Sequence, residues 1–207
     1  MIKAFLPQPL LDARLAWIRR RHRQGEKQAF RMTDGRIVAG PFEGLRMVPE
    51  AGGIPLAPKL FGTYEKEIHP FLEESIAANV DLVVNIGAGE GYYAAGMLMR
   101  LPQARAVAFE SDGNRRRLIA ELVAINGIED RVEIAGRCDA SSLQAAIPGG
   151  CHALILGDIE GGERELIDPE LVPGLRGSDA IVELHDFVVP GIGEALRERF
   201  AASHRME

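Results

Sequence analysis

Asp81-Leu-Val-Val-Asn-Ile-Gly-Ala-Gly-Glu-Gly-Tyr-Tyr93 is the stretch that decides how this chain folds. Leu82, Val83, Val84 and Ile86 make a near-continuous apolar run, the mark of a strand buried on both faces of a parallel sheet. Gly87, Gly89 and Gly91 follow at once, and glycine lets a backbone turn sharply and approach a ligand where a Cβ would collide. Tyr92–Arg100 then reads as a helix whose first N–H groups are unpaired. Strand, glycine turn and helix N-terminus together suit a nucleotide-like cofactor, although a tight turn used only for packing has the same composition.

Spacing narrows the choice. A dinucleotide fingerprint, G-x-G-x-x-G, needs its third glycine at position 92, and that residue is Tyr92. Glycines at 87, 89 and 91 give G-x-G-x-G instead, which resembles motif I of the class I S-adenosylmethionine methyltransferases. In that family the turn packs against the methionine and ribose of the cofactor, and no pyrophosphate is bound.

Downstream of the turn, strands and helices alternate. Strands are expected at Leu82–Ile86, Ala106–Phe109, Val132–Ala135, Ala153–Leu156 and Ala180–Leu184. Helices are expected near Tyr92–Arg100, Asn114–Asn126, Ser141–Ala146, Gly162–Leu171 and Ile192–Ala202. Ser111 or Asp112 is a suitable N-cap, and Asn126-Gly127 a suitable helix stop. Such alternation predicts an α/β fold, an open parallel sheet with helices on both faces. Its ligand belongs beyond the carboxyl ends of the strands.

Upstream, Leu11, Leu15, Trp17 and Ile18 with Arg14, Arg19, Arg20, Arg21, Arg23 and Lys27 read as a short amphipathic helix with a basic face. Asp34-Gly35 between the alternating runs of Ala29–Ala39 predicts a β-hairpin. Pro49–Gly62 reads as irregular chain, and Thr63–Ile76 as a helix in which Pro70 makes a kink or a boundary. Residues 1–62 are thus expected as an N-terminal helix and hairpin appendage to a domain over 63–207.

Composition bounds the class. With 46% hydrophobic residues in 207, the chain can bury a substantial core. No apolar run approaches the ~18 residues of a membrane span. Met1-Ile-Lys-Ala-Phe-Leu-Pro7 is too short and too soon broken by proline for a signal peptide. Cys138 and Cys151 show neither a disulfide framework nor metal-like spacing, so the expected location is cytoplasmic. Residues 1–50 carry 10 Lys/Arg against 5 Asp/Glu, whereas the rest carry 14 against 25. The acidic remainder argues against general nucleic-acid binding. The basic helix is either a solvated face or a docking surface for an acidic substrate, a partner or an anionic membrane.

Polar residues close each strand. Glu110 and Ser111 end the second; Glu110 follows Gly91 by 19 residues, where a carboxylate can accept from both ribose hydroxyls, as in NAD sites. It would equally suit the start of the next helix. The third strand leads to Asp139, and the fourth ends Gly157-Asp158-Ile-Glu160. The fifth ends Val182-Glu183-Leu-His185-Asp186. Period 2 pairs Asp158 with Glu160 and Glu183 with His185. Five ionisable groups on one sheet edge are unusual unless paired or functional.

"NIGAGEGYY", "AFESDGNRRRLIAELVAING", "DIEGGERELI" and "IVELHDF" occur in the order and spacing of FkbM-type methyltransferases, and the resemblance spans roughly residues 60–190. It implies a Rossmann-like sheet of order 3-2-1-4-5, with Cys138 and Cys151 on strands that are not neighbours. It implies S-adenosylmethionine held by Gly87, Ala88, Gly89, Glu110 and Ser111, with Asp139 accepting from the adenine amino group or capping a helix. Asp158, Glu160, Glu183 and His185 would face the transferred methyl, and Tyr64 and Glu65 would close over the cofactor. Two departures stand out. Asn85 occupies the place of an Asp in "D-x-G-A", altering the hydrogen bonding expected around the methionine end. The family also normally adds two strands after the fifth, so later strands are expected to be missing.

The resemblance implies O-methylation of a small-molecule or glycan hydroxyl, with His185 as the first candidate base because its ordinary pKa of ~6.5 leaves it largely neutral at physiological pH. Asp158 or Glu160 is the fallback. Asp158-Ile-Glu-Gly is not the Asn/Asp-Pro-Pro-aromatic motif common among amine methylases of this fold. The acids could instead hold Mg²⁺, although no metal ligand is assigned from the sequence. A non-catalytic S-adenosylmethionine-binding protein and a nucleotide-dependent oxidoreductase are the competing classes.

Overall fold

Five parallel strands lie in the order β3-β2-β1-β4-β5: β1 (Leu82–Ile86), β2 (Arg105–Phe109), β3 (Val132–Ala135), β4 (Ala153–Gly157) and β5 (Asp179–Val182). This computed structural model describes residues 8–49 and 55–207. The initial Met1–Pro7 and part of the Pro49–Gly62 passage, residues 50–54, lie outside the described residues. The flanking helices are α1 (Gln8–Met32), α2 (Leu56–Leu60), α3 (His69–Ala77), α4 (Tyr92–Arg100), α5 (Gly113–Ile125), α6 (Ala140–Ala146), α7 (Glu163–Leu166) and α8 (Ile192–Phe200).

The order follows from burial. β1 and β4 are buried at every position, and they sit at the centre, where helices cover both faces. Alternation along β1 divides the core into two layers. Val83 joins Ala106, Ala108, Leu154 and Leu156 on one face, with α4 and α5. Leu82, Val84 and Ile86 join Val107, Phe109 and Ile155 on the other, with α6 and α8. Each fully buried aliphatic side chain contributes about 1.5–3 kcal/mol. Register places Asn85 opposite Ala108 and Leu156, and Ile86 opposite Phe109 and Gly157. Cys138 and Cys151 are both free.

The segment before the sheet shares the first layer. Ile37, Phe42, Leu45 and Leu60 are buried in it, and a Cβ on Gly96 would come 2.4 Å from the Phe42 ring. Asn126 fixes the same segment from the end of α5, accepting from the Arg46 N–H at 3.0 Å and donating to the Arg46 carbonyl at 2.9 Å. Asp112, rather than Ser111, caps α5, and Gly127 ends it with φ +65° as expected.

Four segments differ from the sequence expectation. Ala29–Ala39 is not a hairpin. α1 continues to Met32, and Asp34 and Gly35, both at positive φ, terminate it, with the Gly35 N–H donating to the Phe30 carbonyl at 2.8 Å. A left-handed pair serves a helix end as readily as a hairpin turn. Strand pairing here is reduced to one antiparallel bridge, Arg36 with Arg46. The Thr63–Ile76 helix begins at His69, so Pro70 occupies the first turn, where its missing N–H is no loss. The Gly162–Leu171 helix stops at Leu166, because Asp168 precedes Pro169 and is biased away from helical backbone. In the irregular passage, α2 forms at Leu56–Leu60.

Beneath the glycine turn lies a buried ion pair. Lys59 of α2 and Glu90 of the turn are 3% and 1% exposed, and the ammonium donates to the Glu90 carboxylate. Burial drives the Lys59 pKa down, opposed by the Glu90 charge. The ammonium also stands 4.5 Å from the Tyr64 ring centre and 4.9 Å from that of Tyr92. Glu90→Gln leaves a buried cation without its counter-charge and should lower stability by about 3–5 kcal/mol in urea unfolding. The double variant Lys59→Met/Glu90→Leu should recover most of that loss.

Candidate functional site

The carboxyl ends of β1, β2 and β4 meet at Gly87. Its N–H and that of Ala88 both donate to the Phe109 carbonyl at 2.9 Å, while the Asp158 N–H donates to the Ile86 carbonyl at 3.0 Å. Gly87 has φ +75°, and a Cβ there would fall 1.7 Å from the Asp158 carbonyl oxygen. Only glycine fits.

That turn sets Glu110 in place. The carboxylate is buried; Oε2 accepts from the Gly89 N–H at 2.8 Å and Oε1 from the Asp112 N–H at 2.8 Å. Oε2 keeps a further acceptor position, and Oε1 has only a long 3.5 Å bond from the Ser111 hydroxyl beside the Asp112 N–H, so both edges of the carboxylate can turn to a pair of vicinal hydroxyls. Gly87, Glu110, Ser111, Asp139, Asp158 and Glu160 all line one cavity of about 530 Å³ beyond the strand ends, a size typical of small-ligand sites. Arg115 and Arg137 line it as well. Asp139 also caps α6, accepting from the Ser142 N–H at 2.8 Å. That bond holds its carboxyl below the usual range, so one oxygen is committed to the helix.

Beside the cavity, His185 collects carboxylates. The ring is buried; Nδ1 lies 2.7 Å from Glu163 Oε1. Nε2 faces Glu160 at 3.6 Å, Asp158 at 3.7 Å and Glu183 at 4.0 Å. An ionised carboxylate only accepts, so Nδ1 carries the proton toward Glu163. Glu163 is fully buried and also accepts from the N–H groups of Ile159 and Gly161.

Charge within this cluster is redistributed. Burial, reinforced by the Glu183 charge and opposed by His185, pushes the Asp158 carboxyl up to about 6. Burial alone would depress His185, but the Glu163 hydrogen bond and the charges of Glu163, Asp158 and Glu183 reverse it, and its pKa is raised from 6.5. The ring is therefore more protonated near neutrality than its ordinary pKa suggests. Asp158, Glu183 and His185 can bring one ligand atom each within 4.8 Å of one another. A Glu163–His185 hydrogen bond is also the usual support behind a metal-bound imidazole.

The sequence candidates thus separate into groups. Gly87, Glu110, Ser111, Asp139, Asp158 and Glu160 share the cavity, and Glu183 and His185 adjoin it through Asp158 and Glu160. Ala88 and Gly89 form the turn itself. Tyr64 and Glu65 pack into the Lys59–Glu90 cluster, where Tyr93 donates to the Glu65 carboxylate and the Tyr64 and Tyr92 rings are 5.7 Å apart. Burial and Glu65 push the Tyr64 phenol far up, and Asp158 is close enough to add to it. Asn85 is buried beneath the turn; its amide donates to the Leu156 carbonyl at 3.4 Å, and Oδ1 has no hydrogen-bond partner among the described residues.

Two expectations are corrected. β4 and β5 end at Gly157 and Val182, so the acids meet on the following loops rather than through strand alternation; Glu160 itself has φ +53°. Asp186 turns away and accepts from the Gly191 and Gly193 N–H groups at the start of α8. Glu163 was not among the sequence candidates. Its signal lay in "DIEGGE", where an acid three residues after Glu160 opens a helix.

No protein-family model matches the sequence, and no curated protein matches it. Among solved structures, the SAH-bound methyltransferase PaMTH1 of Podospora anserina aligns with 97% of this chain and 89% of its own, with a TM-score of 0.51 and 16% identity. An O-methyltransferase from Bacillus cereus in complex with SAH aligns with 64% of this chain and 66% of its own, at a TM-score of 0.47 and 16% identity. The precorrin-6y C5,15-methyltransferase of Geobacter metallireducens covers 67% and 73%, at 0.46 and 14%. The likeness to PaMTH1 establishes the fold, a Rossmann-like methyltransferase sheet.

The contact at Gly87 has a direct test. Gly87→Ala should lose at least about 2 kcal/mol in thermal or urea unfolding, from backbone strain and steric overlap together. A variant of unchanged midpoint would show that the turn can relax away from Asp158.

Proposed function

We propose that this protein is an S-adenosylmethionine-dependent methyltransferase of FkbM type that methylates a hydroxyl oxygen of a small molecule or glycan. The observation that carries the reading is one continuous site: a cavity bounded by Glu110 that adjoins His185 through Asp158 and Glu160. The donor chemistry fits the cofactor. Glu110 would receive the ribose diol, the Gly87–Gly89 backbone would border the methionine, and Asp139 and Ser111 would face the adenine. The cofactor supplies a methyl group already activated for displacement by its sulfonium. SAH, bound in PaMTH1, is the demethylated product such a reaction leaves.

The chain's own residues then have three tasks. They hold donor and acceptor in line, exclude water, and remove the hydroxyl proton as the oxygen attacks the methyl carbon. His185 performs the last. With Nδ1–H fixed on Glu163, neutral Nε2 has its lone pair toward Asp158 and Glu160, where the acceptor hydroxyl enters. As the hydroxyl oxygen attacks, Nε2 would take its proton, and the bound cofactor would supply the methyl carbon and the sulfur leaving group. Glu163 stabilises the imidazolium so formed. A second reading follows from the mutual reach of Asp158, Glu183 and His185, namely a divalent cation that acidifies the hydroxyl. Loss of turnover on chelation, restored by Mg²⁺, would favour it.

Calorimetry decides the cofactor. S-adenosylmethionine and S-adenosylhomocysteine should bind, and binding of NAD alone would sink the proposal. Glu110→Ala should weaken binding by about tenfold or more, since it removes charge-assisted hydrogen bonds. His185→Ala should preserve binding but reduce turnover by roughly a hundredfold or more. A base acts when deprotonated, so the raised His185 pKa places the acidic limb of kcat/KM above pH 6.5. Glu163→Gln removes the charge that raises it and should move that limb to lower pH. A limb near 6 that ignores Glu163→Gln would instead assign the base to Asp158.

A further inference from the structure

Among the described residues, the N-terminal helix is anchored to the core at its C-terminal end. Ala29 is buried, Phe30 packs on the first core layer, and Glu26 accepts from the Ala57 N–H at 2.6 Å. From residue 10 to 25, every residue but the half-buried Leu11 is exposed. Leu10, Leu15, Trp17 and Ile18 are 56, 48, 56 and 44% exposed. Over that stretch the helix gains little stability from packing its apolar side. Such a concentration of exposed apolar side chains marks an interaction surface.

Helical geometry shows the shape of that surface. Leu11, Leu15 and Ile18 form one stripe, and Leu10 and Trp17 a second beside it. Together they span roughly 160° of the circumference. Arg14 and Arg21 lie between the stripes, and the Arg21 guanidinium stands 5.0 Å from the Trp17 ring centre. Arg19, Arg20, Arg23 and Lys27 occupy the opposite side.

We propose that α1 docks the protein on an anionic lipid bilayer. A helical partner would cover the narrow Leu11–Leu15–Ile18 seam but leave the Leu10–Trp17 stripe in water, whereas a bilayer surface receives the whole sector. A second copy of α1 would set arginine against arginine. On lipid, the stems of Arg14 and Arg21 lie among the apolar groups while their charges reach the headgroups. The polar face supplies attraction, and indole and aliphatic groups enter the interface. The net-acidic remainder of the chain does not cancel this. The exposed stretch reaches about 24 Å along the helix axis, against a screening length of ~8 Å at physiological salt.

Trp17 is the single tryptophan of the chain, so its fluorescence reports the docking directly. Full-length protein should co-float with phosphatidylcholine vesicles containing one third phosphatidylglycerol, with a blue-shifted Trp17 emission, and should ignore pure phosphatidylcholine. The triple variant Arg19→Glu/Arg23→Glu/Lys27→Glu should lose about tenfold or more of that partitioning with an unchanged thermal midpoint. Three outcomes would overturn the proposal: no shift on anionic vesicles, equal binding to both vesicles, or a shift that tracks protein concentration without lipid. The last would assign α1 to self-association. A Trp17 response to an acidic protein but not to vesicles would assign it to a protein partner and also refute lipid docking.

Discussion

The site depends on one close approach, that of the Gly87 Cα to the Asp158 carbonyl. Where a Cβ would stand 1.7 Å from that oxygen, the ends of β1 and β4 come within a distance that no other residue permits. The same turn sends two N–H groups to Phe109, which fastens β2 beside β1. Glu110 and Asp158 therefore emerge on either side of a single glycine. Their separation is fixed by backbone hydrogen bonds rather than by flexible side chains, so the two carboxylates are pre-organised before any ligand enters.

Electrostatics take over where the backbone stops. Glu163 is fully buried, one of its oxygens is shared among His185 and two backbone N–H groups, and the other is without a partner among the described residues. The imidazole, 2.7 Å away, is the nearest cationic partner of this buried acid. The imidazole in turn is charged more readily because of it. Asp158, with its carboxyl raised to about 6, lies in the same field. Asp158 and His185 each act on the other's proton affinity, so the two titrate as a pair. Nε2, the ring nitrogen not committed to Glu163, is the atom through which the imidazole faces Asp158, Glu160 and Glu183.

The sheet was legible in the sequence because its signals are local and strong. Five apolar runs, a glycine turn and Asn126-Gly127 each fix a short piece of backbone, and alternation with helices leaves little freedom in the topology. The first layer was less legible, since Phe42, Lys59 and Leu60 reach the sheet from segments without clear periodicity. Asp34-Gly35 misled for a definable reason: two residues of positive φ end a helix as well as they turn a hairpin. The acidic cluster was found by composition, but the geometry behind it was not. Alternation applies only within strands, and Asp158, Glu160, Glu183 and His185 all lie just outside them. Asp186 looked equivalent to its neighbours in sequence, yet backbone N–H groups at α8 claimed it. Glu163 looked like an ordinary first-turn acid and became the buried partner of His185.

Tyr92 shows how one residue can carry both kinds of information. By spacing it removes the glycine that a dinucleotide turn needs for close helix–strand packing. In the fold its ring is buried, edge-on to Phe42 at 5.1 Å and to Tyr64 at 5.7 Å, and it shields the Lys59 ammonium from water. The aromatic therefore replaces a close backbone approach with a side-chain clamp. That clamp joins α4 to the upstream segment bearing Tyr64 and Glu65. The departure that argues against a pyrophosphate at this turn is thus the same one that holds the segment expected to close over the methionine end.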